Sequence, residues 1–249
     1  MIGTPDRFII DKDVLPIFIV KKTTPVEIVS FEGTGFLIGQ GLLVSCWHCV
    51  ASSLLPDQAY AAVVEFVRGR YEAVYLSNIE QDSNGTDLAT ANIARASTLH
   101  LTIPDRDVAY GTNVWSFGYP LTDRKRSQDR GVQFLLNGRY VEGYIMRSFY
   151  YEHQTYGQTP SYELDMPTPA GLSGAPLVKT GSKEVVGVIY GSNDVATIEQ
   201  EASINSESGK REPEIQRIIS FGLAHYTETL KNLKGAATKG LPLQQYLRS

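Results

Sequence analysis

The sequence predicts an all-β fold, on three observations. Apolar residues recur with a short period, turn-forming residues interrupt them about every ten positions, and the intervals between turns hold about a dozen short strand-like runs. Glycine (22) and proline (12) are spread along all 249 residues rather than gathered in one segment. Many short strands with regular turns mean a barrel or sandwich architecture.

The elements follow in order. Strands are expected at 16–20 (PIFIV) and 26–31, then at 35–38 and 42–44 on either side of the Gly39-Gln40-Gly41 turn. Further strands are expected at 61–67, 73–76 and 88–93. Residues 97–113, with Pro104, Asp105, Asp107 and Gly111, read as a linker between two halves, 1–112 and 113–249. The second half offers strands at 114–117, 133–136, 143–149, 175–178, 185–190 and 218–225. Residues 227–234 (TETLKNLK) have helical spacing, with Leu230 and Leu233 on one face, and predict a short C-terminal helix. Residues 123–130 mix both charge signs and read as a solvated loop, and 191–213 as a polar, mobile insertion able to occlude a cleft.

Composition narrows the function. Lys and Arg number 23 against 27 Asp and Glu, a net charge of −4, which gives no reason to expect nucleic-acid binding. The apolar run 14–20 contains Pro16 and is far shorter than the roughly 20 residues that cross a bilayer, so no membrane association is expected. Only two cysteines occur, Cys46 and Cys49, and both are expected as free thiols in a cytoplasmic protein. Their C-x-x-C spacing lacks a second ligand pair or a helix N-terminus, so neither metal nor redox chemistry is expected of it.

Two segments carry chemistry. In GTGFLIGQGLLVSCWHCV (33–50), a strand delivers His48 just beyond its end, held by the sheet yet open to solvent. In TPAGLSGAPLV (168–178), Pro and Gly on both sides of Ser173 force a tight turn whose N–H groups can bind a developing oxyanion. A serine is a weak nucleophile until a histidine takes its proton, and the histidine needs a carboxylate to fix its tautomer. Asp87, at the start of the 88–93 strand, is the favoured carboxylate, with Asp82 in the preceding polar loop as its rival. His100, His153 and His225 occur singly and read as surface or strand residues. The aromatic run 149–156 reads either as packing with polar tips or as cleft lining.

The order His, Asp, Ser, with G-T-G-F-L-I, L-L-V-S-C-W-H-C-V, D-L-A, G-L-S-G-A-P-L-V and V-V-G-V-I-Y-G, resembles the trypsin-like (chymotrypsin-fold) serine proteases. The ending F-G-L-A-H before a helix is most similar to bacterial Deg/HtrA-type and intracellular trypsin-like peptidase domains. The resemblance spans about residues 15–235 and implies two six-stranded β-barrels, His48 and Asp87 coming from the first and Ser173 from the second. It implies Ser173 as nucleophile, His48 as general base, Asp87 as its orienting carboxylate, and the backbone N–H groups of Gly171 and Ser173 as oxyanion hole, with no metal or organic cofactor. It also implies a substrate pocket based on Pro167 and Thr168, with Ile189 and Tyr190 as one wall and Gly222, Leu223 and Ala224 as the other. No acid stands at that base, so cleavage after small or medium apolar residues rather than Lys or Arg is expected, unless Glu163 or Asp165 reaches in.

The sequence departs from secreted relatives in two places. Leu172 stands where they carry an aspartate that receives a new N-terminus, so activation by clipping is not expected. Cys49 matches a disulfide-bonded position, but 33–36 offers no cysteine to pair with it. The expected function is a serine endopeptidase acting on protein or peptide substrates through an acyl-enzyme, under control by a regulatory protein partner, an oligomer or a loop. A catalytically silent peptide-binding module on the same fold is the alternative, and an esterase a remote third.

Overall fold

The protein is described here by a computed structural model covering residues 12–67, 70–98, 100–120, 122–127, 131–200, 203–204, 211–212 and 215–249. Six antiparallel strands form the first barrel: β1 (Val14–Lys21), β2 (Glu27–Leu37), β3 (Gln40–Cys46), β4 (Gln58–Val67), β5 (Arg70–Gln81) and β6 (Leu88–Ala96). They run in the order β1-β2-β3-β6-β5-β4, and β1 closes the ring by pairing with β4 from Ile17↔Ala62 to Lys21↔Gln58.

The second half begins with β7 (Asn113–Gly118) and a two-stranded ribbon, β8 (Asp123–Ser127) with β9 (Gly131–Leu135). It continues through β10 (Arg139–His153), β11 (Gly157–Leu164), β12 (Pro176–Lys179), β13 (Val185–Gln200), the short pair β14 (Ser203–Ile204) and β15 (Arg211–Glu212), and β16 (Ile215–His225). Strands β10-β11-β16-β13-β12-β7 close the second barrel.

Period-two alternation explains how one strand serves two cores. In β3, Leu43 points into the first barrel with Leu15, Ile17, Leu37, Ala89 and Ala91. Its neighbours Leu42 and Val44 point the other way, into a layer with Phe36, Leu88, Trp115, Val178, Val188 and Leu223. That layer lies where residues of both halves meet, which is why β3 is buried on both faces from Leu42 to Cys46. Each fully buried Leu or Val there contributes about 1.5–3 kcal/mol.

The chain ends in α1 (Thr227–Asn232), a 3₁₀ turn (Ala236–Thr238) and α2 (Leu243–Arg248). Leu230, Leu233, Ala237 and Leu243 enter the shared layer, so the C-terminal segment straps the second half back onto the first. No described helix is long and apolar enough to cross a membrane.

Four local expectations change. The runs 26–31 and 35–38 belong to one strand, because β2 carries bulges opposite β1 and stays paired through Gly33 to Gly35. Most of 123–130 is a strand of the β8–β9 ribbon rather than a loop; 128–130 lie outside the described residues. The segment 191–200 is not a loop but the continuation of β13, paired with β16 from Gly191↔Leu223 to Gln200↔Ile215. Such an arm is held by main-chain hydrogen bonds and needs no apolar anchors, so its polar composition misleads. Of 201–213, only the pair β14 and β15 lies within the described residues. Finally, α2 has no counterpart in the sequence reading.

Candidate active site

His48 occupies a 3₁₀ turn, Trp47–Cys49, directly after β3. The pairing of β3 with β6 ends at Cys46↔Leu88, which brings the residue before Leu88 beside that turn. Asp87 uses the position fully. Its backbone carbonyl accepts from Trp47 N–H at 3.0 Å, one carboxylate oxygen accepts from His48 N–H at 3.0 Å, and the other lies 2.7 Å from His48 Nδ1. The carboxylate is 1% exposed, whereas the His48 side chain keeps 40% of its surface open.

The electrostatics of the pair follow. Burial works to lower the His48 pKa, but the hydrogen bonds and charges of Asp87 and Cys49 together outweigh it and the imidazole ends raised. Burial works to raise Asp87, and the bonds from His48 hold it below its usual value instead. Asp82, the rival carboxylate, is also buried. It accepts from Thr86 Oγ1 at 2.8 Å, Asn84 Nδ2 at 3.2 Å and Lys234 N–H at 3.2 Å, which makes it an anchor for the C-terminal strap.

Ser173 sits in a turn built from two overlapping backbone bonds, Leu172 N–H to Pro169 O and Ala175 N–H to Leu172 O, while Gly174 N–H reaches Ile189 O at 2.8 Å. Gly171 and Gly174 hold φ of +99° and +86°, which glycine adopts freely. At Gly174 a Cβ would also lie 1.9 Å from Thr34 O. Among the described residues no hydrogen bond uses the N–H of Gly171 or Ser173, so both donors are free.

Thr34, which the sequence reading did not single out, fastens this turn to the first barrel. Its N–H donates to Ser173 O at 2.9 Å, and its Oγ1 donates to Gly171 O at 2.7 Å and accepts from Tyr119 N–H at 3.2 Å. Cys49 Sγ adds a long contact of 3.5 Å to Ser173 O, and a Cβ on Gly33 would lie 2.5 Å from that sulfur. The only signal available was the Gly-Thr-Gly run itself. The Ser173 hydroxyl donates to Tyr190 O at 3.3 Å rather than to His48.

The expected pocket residues are placed as follows. Pro167 is exposed and Thr168 is buried. Thr168 Oγ1 donates to Gly191 O at 2.5 Å, and its methyl lies 2.6 Å from where a Cβ on Gly222 would stand. Ile189 and Ala224 pack into the second barrel, and Leu223 and Tyr190 into the shared layer; all four are buried. Glu163 is held by Arg147 through two bonds of 2.8 Å, and Asp165 accepts from Tyr144 N–H at 2.5 Å.

Behind Asp87 the aromatic residues close in. Burial and the Asp87 charge both push the Tyr156 phenol up. His225 is fully buried and tilted against Tyr190 with ring centroids 4.5 Å apart; neither ring nitrogen makes a hydrogen bond of full geometry, and the Asp87 backbone is the polar group near enough to favour its charged form. Burial drives its pKa down to about 4, so the ring is neutral. Cys46 and Cys49 are both free and buried.

The family described as "trypsin-like peptidase domain" matches residues 33–188. No curated protein matches the chain. Among solved structures, the MamO protease domain from Magnetospirillum magneticum is 16% identical over 89% of this chain and 95% of its own, with a TM-score of 0.57. The active form of the Rv3671c protease from M. tuberculosis is 14% identical over 90% and 83%, with a TM-score of 0.53. The HtrA-type protease AlgW with a decapeptide is 16% identical over 97% of this chain and 66% of its own, with a TM-score of 0.55. These likenesses establish the shared fold.

Proposed function

The chain belongs to the trypsin-like peptidase domain family, whose members are serine protease hydrolases, and on that basis we propose that it is an endopeptidase working through Ser173, His48 and Asp87. The observation that carries this reading is the 2.7 Å bond between His48 Nδ1 and Asp87, set beside a serine turn with two free N–H donors. Asp87 fixes the tautomer that leaves His48 Nε2 as acceptor. The Ser173 hydroxyl leaves Tyr190 O, a weak bond at 3.3 Å, and turns its proton toward Nε2 as the substrate enters. Its oxygen then attacks the scissile carbonyl, and the Gly171 and Ser173 N–H groups take the negative charge, each donor worth about 10²–10³ in rate. Protonated His48 returns the proton to the leaving amine, and water hydrolyses the acyl-enzyme by the same route.

The proposed substrate class rests on the pocket that the resemblance implies. With Thr168 bridging Gly191 and Gly222, and with Glu163 and Asp165 engaged elsewhere, a Lys or Arg would bury its charge without a partner. A small or medium apolar side chain such as Ala or Val would instead gain roughly 1.5–3 kcal/mol from burial. The peptide bound by the AlgW relative supports peptides as ligands. We further propose a cytoplasmic location, supported by its two free thiols, and control by a regulatory protein partner, an oligomer or a loop. Hydrolysis of a peptide library tests this reading. Wild type should cleave after small apolar residues and Ser173→Ala should not cleave; cleavage confined to Lys and Arg would overturn the pocket assignment.

A further inference from the structure

The catalytic mechanism leaves two buried groups beside Asp87 unused, the Cys46 thiol and the His225 imidazole. Cys46 Sγ, an oxygen of Asp87 and a ring nitrogen of His225 all lie within 4.8 Å of one another, and all three residues are buried. Three points that close share a centre no more than about 2.8 Å from each. Contraction to zinc distances of about 2.0–2.3 Å then needs shifts of only about 0.5–0.8 Å. His225 supplies the independent sign of a ligand: it is 0% exposed, and neither of its ring nitrogens makes a hydrogen bond of full geometry. Orphaned polar atoms in a core cost about 1–3 kcal/mol each and call for an explanation.

We propose that Cys46, Asp87 and His225 form a binding site for a single divalent zinc ion on the inner side of the Asp87 carboxylate. The donor set of thiolate, carboxylate and imidazole suits a borderline-soft cation and supplies three donors, one Asp87 oxygen sharing its lone pairs between His48 and the ion. The charges balance. Cys46 releases its thiol proton to solvent on binding, so one thiolate and one carboxylate neutralise the ion, and the filled site carries no net charge in a dry interior. The same neutralisation takes from His48 the negative charge that orients it. Zinc is therefore an inhibitor that acts from behind the triad and is removable by a chelator. Binding stands apart from the proposed mechanism; its effect on hydrolysis rests on the role given to Asp87.

The test uses the purified full-length chain with Zn²⁺ or Co²⁺ alone. One ion per chain by dialysis and metal analysis is expected, and Co²⁺ should give the near-ultraviolet absorption of a thiolate-bound ion. Zn²⁺ should lower peptide hydrolysis at least about tenfold, with recovery on chelation. Cys46→Ala, which removes only a sulfur, should keep basal hydrolysis, lose the thiolate absorption and escape inhibition; His225→Leu should lose metal binding. Inhibition of equal strength in Cys46→Ala would mean that the ion sits on His48 from the cleft, and would overturn the site. So would Co²⁺ bound without thiolate absorption, or no stoichiometric binding. Stoichiometric binding through the thiolate with unchanged hydrolysis would keep the site and overturn the role of Asp87.

Discussion

At the scale of single residues, two buried aspartates five positions apart do different work. Asp87 spends both oxygens on His48, while Asp82 holds the C-terminal strap through Lys234 and its own loop through Thr86 and Asn84. Asp87→Asn should therefore lower kcat/KM by about 10⁴ with little change in melting temperature. Asp82→Asn should cost about 1–3 kcal/mol of stability and leave the folded fraction active. Steady-state kinetics and thermal melts of both variants check this; equal loss of activity in Asp82→Asn would reverse the assignment. The pH profile follows from the same bond. Catalysis needs neutral His48, and Asp87 raises the imidazole pKa, so activity is lost as pH falls through that raised value. The acid limb of kcat/KM should lie above the ordinary histidine value of about 6.5, and in the residual activity of Asp87→Asn it should move down.

At the scale of elements, the serine turn depends on its fit against β2. A Gly174→Ala side chain would meet Thr34 O at 1.9 Å in a backbone with φ of +86°, so it should destabilise the fold by roughly 2–4 kcal/mol. Denaturant unfolding measures this directly. Gly181→Ala, where nothing lies within 4 Å of the added carbon, has φ of +77° and should lose only the smaller strain cost. The β13–β16 arm makes a different prediction. Because 191–198 pairs with β16, its bonded amides should exchange with solvent as slowly as strand amides, despite a sequence that reads as loop. Hydrogen exchange followed by mass spectrometry checks this; rapid exchange throughout 191–198 would contradict the pairing. Here the limits of the sequence are physical. Strands such as β3 and β6 were legible because burial imposes apolar residues on them, but an arm held by main-chain bonds imposes no such pattern. Helix α2 is only six residues long and sends one fully buried residue, Leu243, into the core, too little for a period to show.

At the scale of the whole molecule, the two barrels and the order His, Asp, Ser along them were legible because strand period and glycine-bounded turns are local signals. What was not legible is whatever depends on residues far apart in the chain. Thr34 grips the serine turn across 137 positions, and Asp82 meets Lys234 across 152. His225 also looked like an ordinary strand residue until folding set it behind Asp87. The central claim is that this architecture activates one serine. Labelling with a fluorophosphonate, followed by intact mass and peptide mapping, tests it most directly. Wild type should take up one adduct per chain at Ser173, and Ser173→Ala, folded and equally stable, should take up none; equal labelling of Ser173→Ala, or no labelling of the folded wild type, would contradict it.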